Sequence, residues 1–260
     1  MKRVLCLDGG GVRGRYSFGI SYKIATYSPR PISQLFDLIV GVSVGAWVGA
    51  VIASGMLDDK STLESFYEQV STWVPAAFHH RGKLGPGLLE PRYDGTGKRD
   101  ILRKVFGTRK LKDVRVDLAI CCCYMGGSPR TFTSWQDGEL KLADVLDATS
   151  ALPIIFPPVF IEKKPYIDGG VLANKPVCAA CLCAMDRFGE EVEMLAGVQR
   201  NLDSRQGADR GTPQPTGQHH GFAANLSSGC FNHSQASALS LQPRYWRLFI
   251  DPAPTRTKSL

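Results

Sequence analysis

Long apolar runs are missing from this 260-residue chain. A membrane-crossing helix needs about 18 consecutive apolar residues or more. The longest candidate here, Ala46 to Met56, is far shorter and reads as a buried helix. No secretory leader is expected either, because Lys2 and Arg3 are followed by only four apolar residues before Asp8. These absences set the expectation of a cytoplasmic protein without a signal peptide or transmembrane helix, in peripheral contact with membranes. Metal-ligand pairs are scarce as well. Cys178-x-x-Cys181 has no second pair at finger spacing, and Cys121, Cys122 and Cys123 sit inside an apolar run. Small buried hydrophobes in a reducing compartment account for such cysteines better than zinc does. Neither a metal nor a cofactor is expected. Histidine is also sparse. His79 and His80 fall in a Gly/Pro-rich loop, and His219, His220 and His233 in a polar stretch; none ends a convincing strand.

What remains is the composition of a globular protein, 43% hydrophobic and 21% charged. The net charge is +7. Residues 81–115 carry eleven Lys or Arg against four Asp or Glu, which alone accounts for the excess. Residues 75–115 suit docking on an anionic membrane, with Phe78, Leu84, Leu88 and Leu89 dipping into the interface and Arg81, Lys83, Arg92, Lys98 and Arg99 meeting head groups, and they equally suit a solvated loop and helix. Nucleic acid is not expected as a partner, and the sequence does not set an oligomeric state.

Strand and helix signals alternate. Val4–Leu7, 35–42, 116–123, 130–135, 159–162, 192–198 and 245–250 read as strands. Residues 15–27, 44–56, 61–73, 98–107, 142–151 and 175–188 read as helices, and 75–97 as a long loop or lid. The alternation predicts an α/β fold, three layers α/β/α around a mostly parallel central sheet. One domain over 1–260 is expected, with a flexible insertion at 200–235, where the chain turns polar and aperiodic.

Three segments carry chemistry. Gly41-Val-Ser43-Val-Gly45 follows an apolar strand and precedes a helix of small residues. That context is a nucleophile elbow, in which Ser43 is held strained and exposed above the helix N-terminus. The second segment is Asp8-Gly9-Gly10-Gly11-Val-Arg13-Gly14. Its Gly9-x-Gly11-x-x-Gly14 spacing could cradle a dinucleotide, but no acidic residue stands about 20 positions on. The competing reading is an oxyanion hole, with Gly10 and Gly11 offering unshielded backbone N–H groups and Arg13 holding the loop or meeting an anionic substrate. The third segment is Tyr166-Ile-Asp168-Gly169-Gly170. A serine nucleophile needs a base. With the histidines in unpromising sequence, Asp168 in its glycine turn is the economical partner, making a Ser–Asp dyad.

These three motifs, in this order, resemble the patatin-like phospholipases. Ala148-Thr-Ser-Ala-Leu-Pro-Ile-Ile-Phe-Pro-Pro158, Tyr93-Asp-Gly-Thr-Gly97 and Phe106-Gly107 with Leu111 strengthen the resemblance. It covers residues 1–188 and resumes weakly at Tyr245–Pro252. It implies a metal-independent lipid acyl hydrolase with Ser43 as nucleophile, Asp168 as base and Gly10 and Gly11 as oxyanion donors, acting on phospholipids or other acyl lipids. An acyltransferase on the same site and a non-catalytic lipid-binding relative are the alternatives. Two features depart from the family. Gly197-Val-Gln-Arg200 replaces its Ser-Leu-Gly-Thr-Gly segment, and Lys175 stands where an asparagine is expected.

Overall fold

A computed structural model describes residues 2–73, 77, 91–189 and 192–197. In chain order the elements are β1 (Lys2–Leu7), α1 (Gly14–Tyr27), β2 (Leu38–Val42), α2 (Val44–Ala53), α3 (Leu63–Ser71) and α4 (Thr96–Phe106). There follow β3 (Asp117–Tyr124), β4 (Ser128–Thr133), α5 (Leu142–Thr149), β5 (Val159–Ile161), β6 (Lys164–Asp168), α6 (Gly170–Ala173), α7 (Val177–Phe188) and β7 (Val192–Gly197). The expected insertion at 200–235, the strand at 245–250, the five histidines and most of the 75–97 loop lie outside the described residues.

The strands form one sheet. β7, β1, β2 and β3 are mutually parallel, while β4 and β6 run antiparallel to β3, and β5 antiparallel to β6. The sheet is therefore mixed, a parallel core with an antiparallel flank. Side chains alternate across it, as the pleat requires. Leu5, Leu7, Ile39, Leu118 and Ile120 point into a large core with α1, α2 and α5, whereas Val4, Cys6, Val40, Ala119 and Cys121 pack against Ala180, Cys183 and Ala184 of α7. Helices on both faces of a sheet make the three layers. The cysteines of β3 are free thiols divided between the two faces, as small hydrophobes would be. Among the described residues no helix is long and apolar enough to cross a membrane.

One strand escapes the sequence pattern. β6 carries Pro165 and follows a tight turn at Glu162 and Lys163, which have φ of 48° and 66°. Hairpin turns with two left-handed residues normally announce themselves by Asn-Gly or Asp-Gly. Glu-Lys sends no such signal, so Asp168 reads locally as part of a turn when it is the last residue of a strand.

Candidate active site

β2 is buried along its whole length and stops at Val42. The chain then reverses at Ser43 (φ 54°, ψ −131°) and enters α2 at Val44. That backbone conformation is costly for a residue with a Cβ, and it persists only where the surroundings enforce it. Here they do. A Cβ on Gly45 would stand 2.4 Å from the Asp8 carbonyl oxygen, so only glycine lets α2 lie this close to the end of β1.

The register of β3 brings Asp168 to Ser43. β4 occupies one edge of β3 from Ala119 to Tyr124. β2 pairs with residues 117–121 and β6 with residues 122–124, so both lie along the other edge. They run in opposite directions and end head to head. Val42 is the partner of Cys121, and Asp168 the partner of the next residue, Cys122. The Ser43 hydroxyl consequently donates to Asp168 Oδ2 at 2.7 Å, across 125 residues of sequence. Ser43 and Asp168 are 6% and 5% exposed, so Ser43 is strained as the elbow predicts but buried in the cavity wall rather than exposed, because the dyad and its cavity close over it.

The junction between the two strand ends is closed by Thr149, the last residue of α5. Its Oγ1 accepts the Ser43 amide at 2.9 Å and donates to the Cys121 carbonyl. The Asp168 amide donates to Ala151 at 3.0 Å, and Asp168 Oδ1 accepts the Gly170 amide at 2.7 Å. Burial pushes the Asp168 carboxyl above its ordinary value; the hydrogen bonds from Ser43 and Gly170 and the charge of Lys98 pull the other way. Gly169 leaves β6 directly beneath, and a Cβ there would meet the Cys121 carbonyl oxygen at 2.3 Å.

The glycine loop lies alongside. Asp8 is buried, and Gly9 is clamped by Asn174, whose carbonyl accepts the Gly9 amide and whose side-chain amide donates to the Gly9 carbonyl, both at 3.0 Å. Arg13 donates its backbone N–H to Gly10, closing the turn that leads to Gly14 and α1. Gly10, Gly11, Arg13, Ser43, Asp168 and Gly170 all line one cavity of about 820 Å³. Its remaining wall is mainly apolar and aromatic, from Phe18, Trp47, Val51, Trp73 and Phe156 among others. Its mouth is edged by the exposed residues Val12, Tyr16 and Leu152.

Among the other motif residues, Gly41 sits within β2 against α2 and Gly14 opens α1 against Val44. Lys98 departs from the sequence expectation. In a basic helix it reads as a solvent-facing charge, yet it is 2% exposed and lines the cavity. Its Nζ lies 3.0 Å from Asp147 Oδ1 and 2.8 Å from the Asp147 carbonyl oxygen. Three contributions thus escape the sequence reading: the Thr149 hydroxyl, the Asn174 clamp and the Lys98–Asp147 pair. For Asn174 a signal existed, an asparagine one position before the Lys175 at which the family residue was sought. Among the described residues no three His, Cys, Asp or Glu side chains gather as metal ligands.

A serine hydroxyl donating to a carboxylate at the wall of an apolar cavity, with glycine amides beside it, is equipped for acyl transfer. The family described as Patatin-like phospholipase matches residues 5–181. A cGAMP-activated phospholipase of Escherichia coli is 30% identical over 194 residues, 67% of this chain and 53% of that protein. A second protein of that name, from Pseudomonas aeruginosa, is 27% identical over 180 residues, 66% of this chain and 54% of its own. Patatin-like protein 2 of Oryza sativa subsp. indica is 26% identical over 273 residues, covering 90% and 62%. The chain spans about half the length of the first two.

Proposed function

The chain belongs to the patatin-like phospholipase family, and from that premise we propose that it is a lipid acyl hydrolase of the phospholipase A type. The observation that carries the reading is the 2.7 Å hydrogen bond from the Ser43 hydroxyl to Asp168 in the wall of the apolar cavity. Ser43 Oγ attacks the ester carbonyl as Asp168 accepts its proton. The carbonyl oxygen becomes an alkoxide and turns toward the Gly10 and Gly11 amides, where each donor contributes about 3 kcal/mol to the transition state. Collapse expels the lysolipid alkoxide, which recovers the proton from Asp168, and leaves an acyl-serine. Water, deprotonated by Asp168, then attacks the acyl-serine; collapse breaks the bond to Ser43 Oγ, which recovers the proton from Asp168, and the fatty acid is released. A carboxylate is a weak base in water; burial raises its proton affinity and suits it to both transfers.

The cavity is apolar enough for an acyl chain. Arg13 and Arg15, exposed on its lining, suit an anionic head group. The exposed apolar side chains Val12, Tyr16, Leu152, Ile154, Val171 and Leu172 suit a face laid on the lipid surface. On this reading the lipid surface meets the face that carries Val12, Tyr16 and Leu152 of the cavity lining. Of the basic residues expected to dock on lipid, Lys98 is buried, Arg92 is exposed and Arg99 is partly buried, while Arg81 and Lys83, with Phe78, Leu84, Leu88 and Leu89, lie outside the described residues. The buried free thiols Cys6, Cys121, Cys122, Cys123 and Cys183 suit a reducing, cytoplasmic setting.

The test is a panel of phospholipids and neutral acyl lipids, assayed for released fatty acid with wild type and Ser43→Ala, beside labelling by a fluorophosphonate. Release and labelling by wild type, both abolished in Ser43→Ala, are expected. Release that survives Ser43→Ala overturns the reading, as does a folded wild type that neither labels nor cleaves any lipid in the panel.

A further inference from the structure

A lysine that is 2% exposed needs a reason to be there. Lys98 leaves α4 for the cavity wall, where its ammonium pairs with Asp147 of α5, itself 3% exposed, and stands 4.5 Å from the centre of the Phe156 ring. Stability alone does not explain it. A buried ion pair gains little over apolar side chains of the same volume, because desolvating two charges consumes most of their attraction. What distinguishes this pair is its place. Lys98 lines the cavity that Ser43 and Asp168 line. Asp147 lies two residues before Thr149, which holds the Ser43 amide.

We propose that Lys98 is a positioning residue for Asp168, a fixed cation that keeps the buried carboxylate ionised and so able to accept the Ser43 proton. The catalytic part of this statement rests on the reading of Asp168 as the base.

Asp168 has lost most of its water, which disfavours its charged form. The groups that act on it come from separate elements: the Ser43 hydroxyl from the elbow, the Gly170 amide from α6 and the Lys98 charge from α4. Cys122 of β3 also faces it, but burial holds that thiol neutral, well above its ordinary value. Lys98 in turn is acted on by Asp147 from α5, by Asp168 and by its neighbour Arg99. Burial pulls the lysine toward neutrality, and the two carboxylates oppose that. The attraction is reciprocal, each charge favouring the other. Asp147 keeps Lys98 charged and in place; Lys98 extends that charge to Asp168.

The experiment is a carboxyl-carbon NMR titration of the full chain labelled with ¹³C-carboxyl aspartate. The Asp168 signal is assigned by its loss in Asp168→Asn. In Lys98→Met the Asp168 midpoint should rise, because the opposing charge is gone, and in Lys98→Arg, which keeps the charge, it should stay near the wild-type value. A folded Lys98→Met with an unmoved midpoint overturns the proposal. Should that variant fail to fold, the double substitution Lys98→Met with Asp147→Leu replaces the pair by apolar groups of similar bulk, and the same rise is required of it. The acid limb of kcat/KM on a monomeric p-nitrophenyl ester is then compared. A limb that moves with the midpoint supports both this inference and the base role. If the midpoint moves and the limb does not, the coupling stands and the assignment of Asp168 as base fails. A purely structural role for Lys98 would lower the rate at every pH and leave midpoint and limb in place.

Discussion

Asn174 grips Gly9 at two points, accepting its amide and donating to its carbonyl, each at 3.0 Å. The residues are 165 positions apart. This ties the segment leaving β6 to the glycine loop leaving β1, and so sets the distance between Asp168 and the proposed oxyanion donors. Asn174→Ala removes the side-chain half of the grip. We expect kcat/KM on a soluble ester to fall about 10-fold to 100-fold, the scale of a group displaced by an ångström, with little change in melting temperature. Gly9→Ala should do worse, since its Cβ would come within 2.3 Å of Asn174 Oδ1. Steady-state kinetics beside a thermal melt decide this; full activity in Gly9→Ala would contradict it.

Thr149 is fully buried and its hydroxyl serves two backbone groups. Thr149→Val keeps the shape and strands the Ser43 amide and the Cys121 carbonyl. A loss of about 1–3 kcal/mol in urea unfolding is expected, together with lower activity as the elbow loosens. Thr149→Ser should stay near wild type in both. Equal stability of the valine and serine variants would refute the hydrogen-bond role.

Asp168 carries a stability cost that depends on pH. Its folded value lies above its unfolded one, so the folded state holds the proton more tightly. The stability this lends is complete below the ordinary carboxyl value of 3.8 and is lost as pH rises through the folded value. Asp168→Asn cannot ionise and escapes that loss. The variant should be inactive at every pH, yet unfold at an equal or higher temperature than wild type near pH 7, with its relative advantage shrinking as the pH approaches 3.8. Melting curves across that window test it, and an advantage that grows toward acid pH would reverse the argument.

Ser43 holds a left-handed backbone that a Cβ makes costly. Ser43→Ala removes the hydroxyl and keeps the strain; Ser43→Gly removes both. Both variants should be inactive, and the glycine variant more stable than the alanine one by about 1 kcal/mol, the low end for such a conformation and partly offset by glycine's greater unfolded freedom. Equal stability of the two would mean the elbow stores no strain.

Much of this protein is written locally. The elbow at Ser43 is a strand, a turn and a helix in consecutive residues, each with its own signature, and the structure sets β2 and α2 on either side of it. The glycine loop after β1 is local in the same sense. So is the alternation that predicts layers, because strand and helix periods are properties of a dozen neighbouring residues. The mixed character of the sheet was less legible. A buried parallel strand shows its apolar run, whereas β6, with Pro165 and a Glu-Lys turn before it, shows none.

The sequence alone thus determined the layered fold, the elbow and the glycine turns, since those depend on backbone preferences and periodicity within short windows. Only the tertiary structure decided that β2 and β6 end head to head on β3, with Val42 opposite Cys121 and Asp168 opposite Cys122. It alone turned Lys98 from a surface charge into a buried one, because burial depends on what packs over a residue, and Asp147 lies 49 positions away. Contacts of that range follow from how whole elements cover one another, which no local window of the chain contains.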